Sequence, residues 1–298
     1  MIKISVPATT ANIGPGFDCL GMALNLFLEI SVEKKVIGKT FTWMNGLESL
    51  PLEKNLIYQT IESLLEKNNR TINYEICVVK NDIPISRGLG SSASAITAGV
   101  YAANYLLGSI YSNEELVNLA CDFEGHPDNI VPAIKGGFQI SKKINDEYIT
   151  SEIKPPTSLD FVVMVPDFVV NTDKARAILP NNYSKKITYE SVANAAFLVN
   201  AFNNSDFSHI DIYLDDLLHQ PYRIKLINDG SKILEHCKSL NAYGEFISGS
   251  GPTLIALIKE NNAFIPKMTE FLDTLENQWK IHKTKINTTG VEIEVQDE

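Results

Sequence analysis

A chain of 298 residues, 44% hydrophobic and 21% charged, has length and apolar content for about two packed domains. Its formal net charge of −10 argues against a nucleic-acid binder, which needs a basic footprint to release counterions. No stretch approaches the roughly 20 apolar residues of a membrane span and no cleavable signal pattern opens the chain, so a cytoplasmic protein is expected.

In chain order, Ile2 to Val6 reads as a strand, and Val6 to Gly21, VPATTANIGPGFDCLG, as a shaped loop dense in Gly, Pro, Thr and Asn. Loops of that chemistry often carry ligands. From Met22 to Lys34, the alternation of Leu24, Leu26, Leu28, Ile30 and Val32 predicts a long strand with one buried side. Ile57, Ile61, Leu64 and Leu65 recur at helical spacing between Asn55 and Asn68, and Tyr74 to Lys80 reads as the next strand.

A glycine loop follows: PISRGLGSSAS, from Pro84 to Ser94, ahead of an almost wholly apolar helix predicted from about Ser92 to Leu107, with Gly108 as its C′ residue. Gly88 and Gly90 permit close backbone approach, and the amide hydrogens and positive dipole end of the helix make an anion site without a basic protein. The string lacks the GK[ST] ending of a Walker A loop and the GxGxxG of a dinucleotide fingerprint. A tight packing turn is the plain alternative, which the paired hydroxyls of Ser91 and Ser92 weaken: one can cap, the other can reach phosphate or Mg²⁺.

Ser112 to Glu115 has the form of a capping box, followed by the apolar stripe Leu116, Leu119, Ala120 and Phe123. The pattern breaks at Lys154, Pro155 and Pro156, dividing the chain into residues 1–156 and 157–298. The second unit opens with the run Phe161 to Val165. It is expected to carry helices near Thr188 to Asn203, Lys225 to Ser239 and Ala263 to Trp279, and strands near Thr253 to Ile258 and Val291 to Val295. Cys19, Cys77, Cys121 and Cys237 form no CxxC pair and read as reduced, buried thiols.

Three separated motifs, PATTANIGPGFDCLG (Pro7 to Gly21), PISRGLGSSAS (Pro84 to Ser94) and SGSGPT (Ser248 to Thr253), resemble those of the GHMP small-molecule kinases. EGHPDNIVPAIKGGF, from Glu124 to Phe138, resembles their homoserine kinase branch. The resemblance covers essentially the whole chain. It implies an α+β, two-domain GHMP kinase fold: an N-terminal domain like domain 2 of ribosomal protein S5 and a C-terminal ferredoxin-like domain, with the ligands in the cleft between. It implies phosphorylation of L-homoserine by ATP with Mg²⁺, a step of threonine biosynthesis, in a homodimer with no nucleic-acid or membrane partner.

Site residues carry over by matched position. Pro84, Ile85, Ser86, Arg87, Gly88, Leu89, Gly90, Ser91, Ser92, Ala93 and Ser94 are expected around the nucleotide, with Ser92 and Glu124 as the Mg²⁺ ligands. Asn12, Asp18, His126, Asn129, Thr172, Arg176 and Arg223 are expected around the acceptor; Ser92, Glu124, Asn129 and Arg176 are the candidate catalytic set. Asp18 suits the α-ammonium of an amino acid, and Arg176 and Arg223 its carboxylate or the transferring phosphate. Singly, these residues read better as turn formers, an N-cap, solvated ion pairs and a structural histidine; only their joint occurrence at matched positions favours a site.

Counting seven residues back from Gly136, where mevalonate-type kinases carry their proposed aspartate base, lands on Asn129. Asp128, one residue off, is expected to point elsewhere. Catalysis without a protein base is credible because phosphoryl transfer depends chiefly on alignment and charge stabilisation. SGSGPT is expected to approach the phosphate site from the second domain and to brace the first loop. Two alternatives stand beside this reading: a GHMP kinase acting on an isoprenoid alcohol or a sugar, and a nucleotide-responsive binder that has lost catalysis.

Overall fold

The computed structural model describes residues 1–44 and 51–296. Strands β1 (Ile2–Ala11) and β2 (Leu20–Lys34) form a long antiparallel hairpin, extended by β3 (Lys39–Trp43) and β4 (Tyr74–Asn81). Helices α1 (Leu56–Lys67), α2 (Ser91–Leu107), α3 (Asn113–Glu124) and α4 (Pro127–Lys135) follow, then strands β5 (Phe138–Ile144) and β6 (Glu147–Ile153). The second unit runs β7 (Asp160–Pro166), α5 (Thr172–Ala177), α6 (Lys185–Asn204), α7 (Ile210–Tyr213), α8 (Gln220–Arg223), α9 (Gly230–Ser239), β8 (Gly244–Ile247), β9 (Leu254–Ile258), α10 (Phe264–Leu272) and β10 (Trp279–Thr284). A last strand, β11 (Glu292–Val295), returns to β1.

The first sheet has the order β11-β1-β2-β4-β3, with β5 on β2 and β6 on β5; the second is β10-β7-β9-β8, antiparallel throughout. Because β11 pairs with β1, the chain's tail belongs in space to the first sheet although it follows the second unit in sequence. β7 is covered on both faces. Phe161, Val163 and Val165 pack toward the core shared with the first sheet, and Val162 and Met164 toward α9 and α10. That explains its unbroken apolar run.

Helix α2 buries most of its residues and is the central helix expected; Gly108 terminates it in the left-handed region at φ 93°. The Ser112 capping box is complete, with Glu115 N donating to Ser112 Oγ and Ser112 N to Glu115 Oε2. Three sequence expectations change. Pro7 to Ala11 continue strand β1 across a register shift at Pro7/Ala8, where proline has no amide to donate, so the shaped loop is confined to residues 12–19. The helix expected from Lys225 begins at Gly230, after a left-handed Asp229 (φ 56°). The helix expected to reach Trp279 ends at Leu272, and Trp279 opens an edge strand on β7.

Candidate active site

β4 ends at Asn81, and the chain reaches α2 through Ser86, Gly88 and Gly90, all at positive φ (56°, 79° and 67°). Gly90 stands at the N-cap of α2 and supplies no side-chain cap, so the amide hydrogens of the first turn stay open for an anion. A Cβ on Gly90 would lie 1.9 Å from Thr9 Oγ1, and one on Gly88 2.4 Å from Ser248 O. No side chain fits at either position. The SGSGPT turn makes the approach expected of it: Ser248 Oγ is 2.5 Å from Gly88 O, Thr253 N donates to Arg87 O (3.2 Å), and Gly249 N donates to Ala11 O (2.9 Å).

Of the glycine loop, Ser86, Gly88, Gly90, Ser91 and Ser92 line a cavity of about 140 Å³. The others do not line that cavity, although Ile85 and Ser94 line an apolar pocket that adjoins it. Leu89 and Ala93 are core residues, and Ser94 Oγ donates to Pro7 O (2.9 Å), because only the first turn of a helix is open at its end. Pro84, Ile85 and Arg87 border a separate cleft of about 970 Å³ against β7 and β10. The Arg87 guanidinium donates to Ile85 O (3.0 Å), Pro166 O (3.1 Å) and Asp167 O (3.1 Å), which fastens the loop to β7 and takes the side chain away from the helix start.

All seven residues expected around the acceptor, Asn12, Asp18, His126, Asn129, Thr172, Arg176 and Arg223, line the same small cavity as Ser92 and Glu124. Asn12 sits at φ 57° and accepts Asp18 N on Oδ1 (2.8 Å), the turn bond that such a residue makes. Asp18 does not stand alone. Its carboxylate receives both prongs of Arg176, Nη1 to Oδ2 at 2.9 Å and Nη2 to Oδ1 at 3.0 Å. Arg223 is 2% exposed, held by Nε to Ala175 O (3.1 Å) and Nη1 to Gly249 O (3.0 Å). The ring of Phe17 lies under both guanidinium groups, 5.6 Å from Arg176 and 5.0 Å from Arg223. Asn171, rather than Thr172, caps α5, so Thr172 Oγ1 is left 3.4 Å from Ser250 Oγ at the cavity.

Across the cavity, Ser92 Oγ donates to Glu124 Oε2 at 2.7 Å. Burial pushes the Glu124 carboxyl above its ordinary range, against the opposing hydroxyl of Ser92. Glu124 ends α3, and Gly125 in the left-handed region (φ 91°) lets the chain reverse at once into the extended His126 and then α4. The short Glu124-Gly125-His126 spacing therefore brings both side chains to one wall.

Asp128 departs from expectation. Its side chain turns into the cavity wall, 2% exposed, with Oδ1 3.2 Å from His126 Nδ1 and 3.5 Å from Asn129 Nδ2. It occupies the first turn of α4, where a short acidic side chain can fold back over the helix start. The neighbouring carboxylate raises the His126 pKa above the usual imidazole value, outweighing partial burial. Asn129 Oδ1 accepts from Thr9 Oγ1 (2.8 Å), which links it to the strand beneath Gly90.

An apolar pocket of about 300 Å³, walled by Leu28, Trp43, Leu56, Ile57, Ile83 and Ala95, opens beside Ser86, Ser91 and Ser92. Asn55 accepts the Ile57 and Tyr58 amides on Oδ1, which caps α1 and leaves its buried Nδ2 at that pocket without a partner among the described residues. A flat heteroaromatic base with a ring acceptor suits it, contiguous with the open helix end. In sequence, Asn55 carries only the signature of a helix cap.

The chain matches the sequence models of the GHMP kinases N terminal domain over residues 55–137 and the GHMP kinases C terminal over residues 198–272. It is 43% identical over 295 residues to the homoserine kinase of Clostridium novyi (strain NT), covering 98% of this chain and 99% of that one. To the homoserine kinase of Clostridium botulinum (strain Kyoto / Type A2) it is 40% identical over 291 residues, 97% of each. Its fold matches the crystal structure of homoserine kinase from Cytophaga hutchinsonii with a TM-score of 0.86 at 29% identity, covering 98% and 96% of the two chains. This chain belongs to the homoserine kinase family of the GHMP kinases.

Proposed function

We propose that this chain transfers the γ-phosphate of ATP to the side-chain hydroxyl of L-homoserine, giving O-phospho-L-homoserine on the way to threonine. The observation that carries the reading is the meeting of Asp18, Arg176 and Arg223 with the open start of α2 in one cavity. A zwitterion offers complements to both signs of charge, and the helix start accepts phosphate. The name shared by the full-length relatives supports the same acceptor.

The nucleobase enters the apolar pocket beside Asn55, and its phosphates run along Gly88 to Ser92. Homoserine lies between Asp18, which takes its ammonium, and Arg176 and Arg223, which take its carboxylate. Asn12 and Asn129 are placed to orient the hydroxyl. Ser92 and Glu124 fit Mg²⁺: two close oxygens, one a half-buried carboxylate, suit an ion that keeps phosphate and water as its other ligands. Bound there, the ion would offset phosphate charge. Backbone amides of α2 and the Arg176 guanidinium add to that stabilisation.

No protein base is required in this scheme. A second reading, in which Asp128 takes the hydroxyl proton, rests on its place in the cavity wall; against it, Oδ1 already lies against His126 and Asn129. Asp128→Asn separates them: a loss of about 10²–10⁴ in kcat with homoserine binding intact would favour the base. We assign residues 1–156 to a nucleotide unit and 157–298 to a unit closing the acceptor site, with β11 lent back to the first. We also place the chain in the cytoplasm as a homodimer, on the family resemblance alone; among the described residues no helix is long and apolar enough to cross a membrane. The deciding experiment measures ADP release with homoserine, serine, threonine, mevalonate and galactose. Release with homoserine alone is expected; release with mevalonate or galactose and none with homoserine would refute the assignment.

A further inference from the structure

His219 lies outside the cavity, fully buried at the turn before α8. Its Nε2 is 3.0 Å from Asn12 O, 3.2 Å from Gly14 O and 3.3 Å from Asp216 Oδ2. All three neighbours only accept, so Nε2 carries a proton. Among the described residues Nδ1 has no partner, and a proton there would be a buried donor with nothing to receive it. The ring is therefore the neutral Nε2–H tautomer, and burial holds its pKa below the ordinary value.

The two carbonyls belong to the loop in which Asn12, Gly14 and Asp18 all have positive φ (57°, 54° and 52°). That conformation turns Asn12 O and Gly14 O inward, away from any strand partner. Asp216 fixes the other end of the link. Its Oδ1 accepts from Leu218 N (2.8 Å), and its Oδ2 from His219 N (2.9 Å) and Gln220 N (2.6 Å), while Arg223 N donates to His219 O at 3.0 Å. One imidazole thus joins the segment bearing Asn12 and Asp18 to the turn bearing Arg223, some two hundred residues later in the chain. The tilted contact with Phe17 (5.5 Å between centroids) sets the ring beneath the two guanidinium groups as well.

We propose that His219 is a positioning residue: its Nε2–H holds the Asn12–Asp18 loop in register with Arg223 and so sets the affinity for the acceptor amino acid. The proposal rests on the acceptor reading given above. Glutamine and asparagine distinguish reach from polarity, because the Gln amide nitrogen can occupy the place of Nε2 whereas the Asn amide ends nearer Nδ1. His219→Asn should raise KM for homoserine about tenfold or more, the change that loss of one buried hydrogen bond brings, with KM for ATP within about twofold of wild type. His219→Gln should stay within about threefold for both substrates.

Equal behaviour of the two variants, or KM values for ATP and homoserine that rise together in step with a lowered Tm, would overturn the proposal. If His219→Asn does not fold, His219→Gln decides alone: homoserine KM within about threefold of wild type is the expected result, and a larger rise overturns the proposal. The wild-type enzyme in the same assay keeps the two readings apart. No homoserine-dependent ADP release from wild type sinks both; a wild-type response with indifferent variants sinks only the role of His219.

Discussion

Asp18 and Arg176, placed by sequence at opposite ends of a bound amino acid, meet in the structure as a two-pronged ion pair, 2.9 and 3.0 Å. The two charges thereby neutralise each other. On the proposed acceptor reading, a zwitterion enters by exchange, its ammonium replacing Arg176 on Asp18 and its carboxylate replacing Asp18 on Arg176, so little net charge is desolvated on binding. A substrate with one charge would leave one partner stranded, which gives specificity by penalty as well as by attraction.

Asp18→Asn should raise KM for homoserine about 10- to 100-fold and leave KM for ATP nearly unchanged, since the lost bond is to a charged group of the acceptor alone. Steady-state kinetics with each substrate varied in turn measures this. Thermal stability should barely move, because the pair is partly exposed and partners of that kind contribute little to folding. An ATP-specific defect would place Asp18 on the nucleotide instead.

Arg223→Lys tests the buried guanidinium. Its fork satisfies Ala175 O and Gly249 O together, which one ammonium on a flexible stem cannot do in the same geometry. The variant should lose about 1–3 kcal/mol of stability, the cost of an unpaired buried carbonyl, in addition to its binding defect. Denaturant unfolding gives the first quantity, and homoserine KM the second. A stable variant impaired only in KM would mean that the carbonyls find water.

Much of this arrangement was visible in the sequence because it depends on local backbone chemistry. The helix start after Gly90, the Ser112–Glu115 capping box and the β2 alternation are each determined within a few residues. Strands β3, β6 and β10 were not visible. They are short and largely exposed, and alternations as brief as Phe41 and Trp43, or Trp279 and Ile281, carry too few apolar residues to mark a strand. The placement of Asp128 and His219 was hidden for another reason. Each depends on atoms far away in sequence: Asn12 O and Gly14 O for His219, and for Asp128 the close approach of α4 to β2, where a Cβ on Gly21 would fall 1.6 Å from Asp128 O.

Glu124 couples function to stability with a definite sign. Its carboxyl is raised by burial, so the ligand-free fold favours the protonated form, and stability it contributes when protonated is lost as pH rises through that raised pKa. At neutral pH the ionised group is a cost to the apoprotein. Glu124→Gln should therefore raise Tm at pH 7 to 8 without nucleotide, and the gain should shrink toward acid pH. Turnover should fall by about 100-fold or more if the carboxylate holds Mg²⁺. Wild-type activity should fail on the acid side at a higher pH than an ordinary glutamate would give. A Gln variant with normal kcat and unchanged Mg²⁺ dependence would remove the residue from the metal site.

Gly90 stands between the start of α2 and the Thr9–Asn129 bond. At φ 67° an alanine is strained by about 1 kcal/mol or more, and its Cβ would fall 1.9 Å from Thr9 Oγ1, the hydroxyl that donates to Asn129 Oδ1 at 2.8 Å. Gly90→Ala should thus displace the helix start and Asn129 together, lowering kcat/KM for both substrates by about 100-fold. Thr9→Ala alone removes the bond to Asn129 and leaves the phosphate cradle intact, so its defect should fall on homoserine. In the double variant the steric conflict with the hydroxyl is relieved while the backbone strain remains. ATP affinity should recover substantially relative to Gly90→Ala, and homoserine affinity should not exceed that of Thr9→Ala. Isothermal titration with a non-hydrolysable ATP analogue, alongside the kinetics, measures the recovery; an ATP defect equally deep in both Gly90 variants would show that φ, and not the Thr9 contact, demands glycine there.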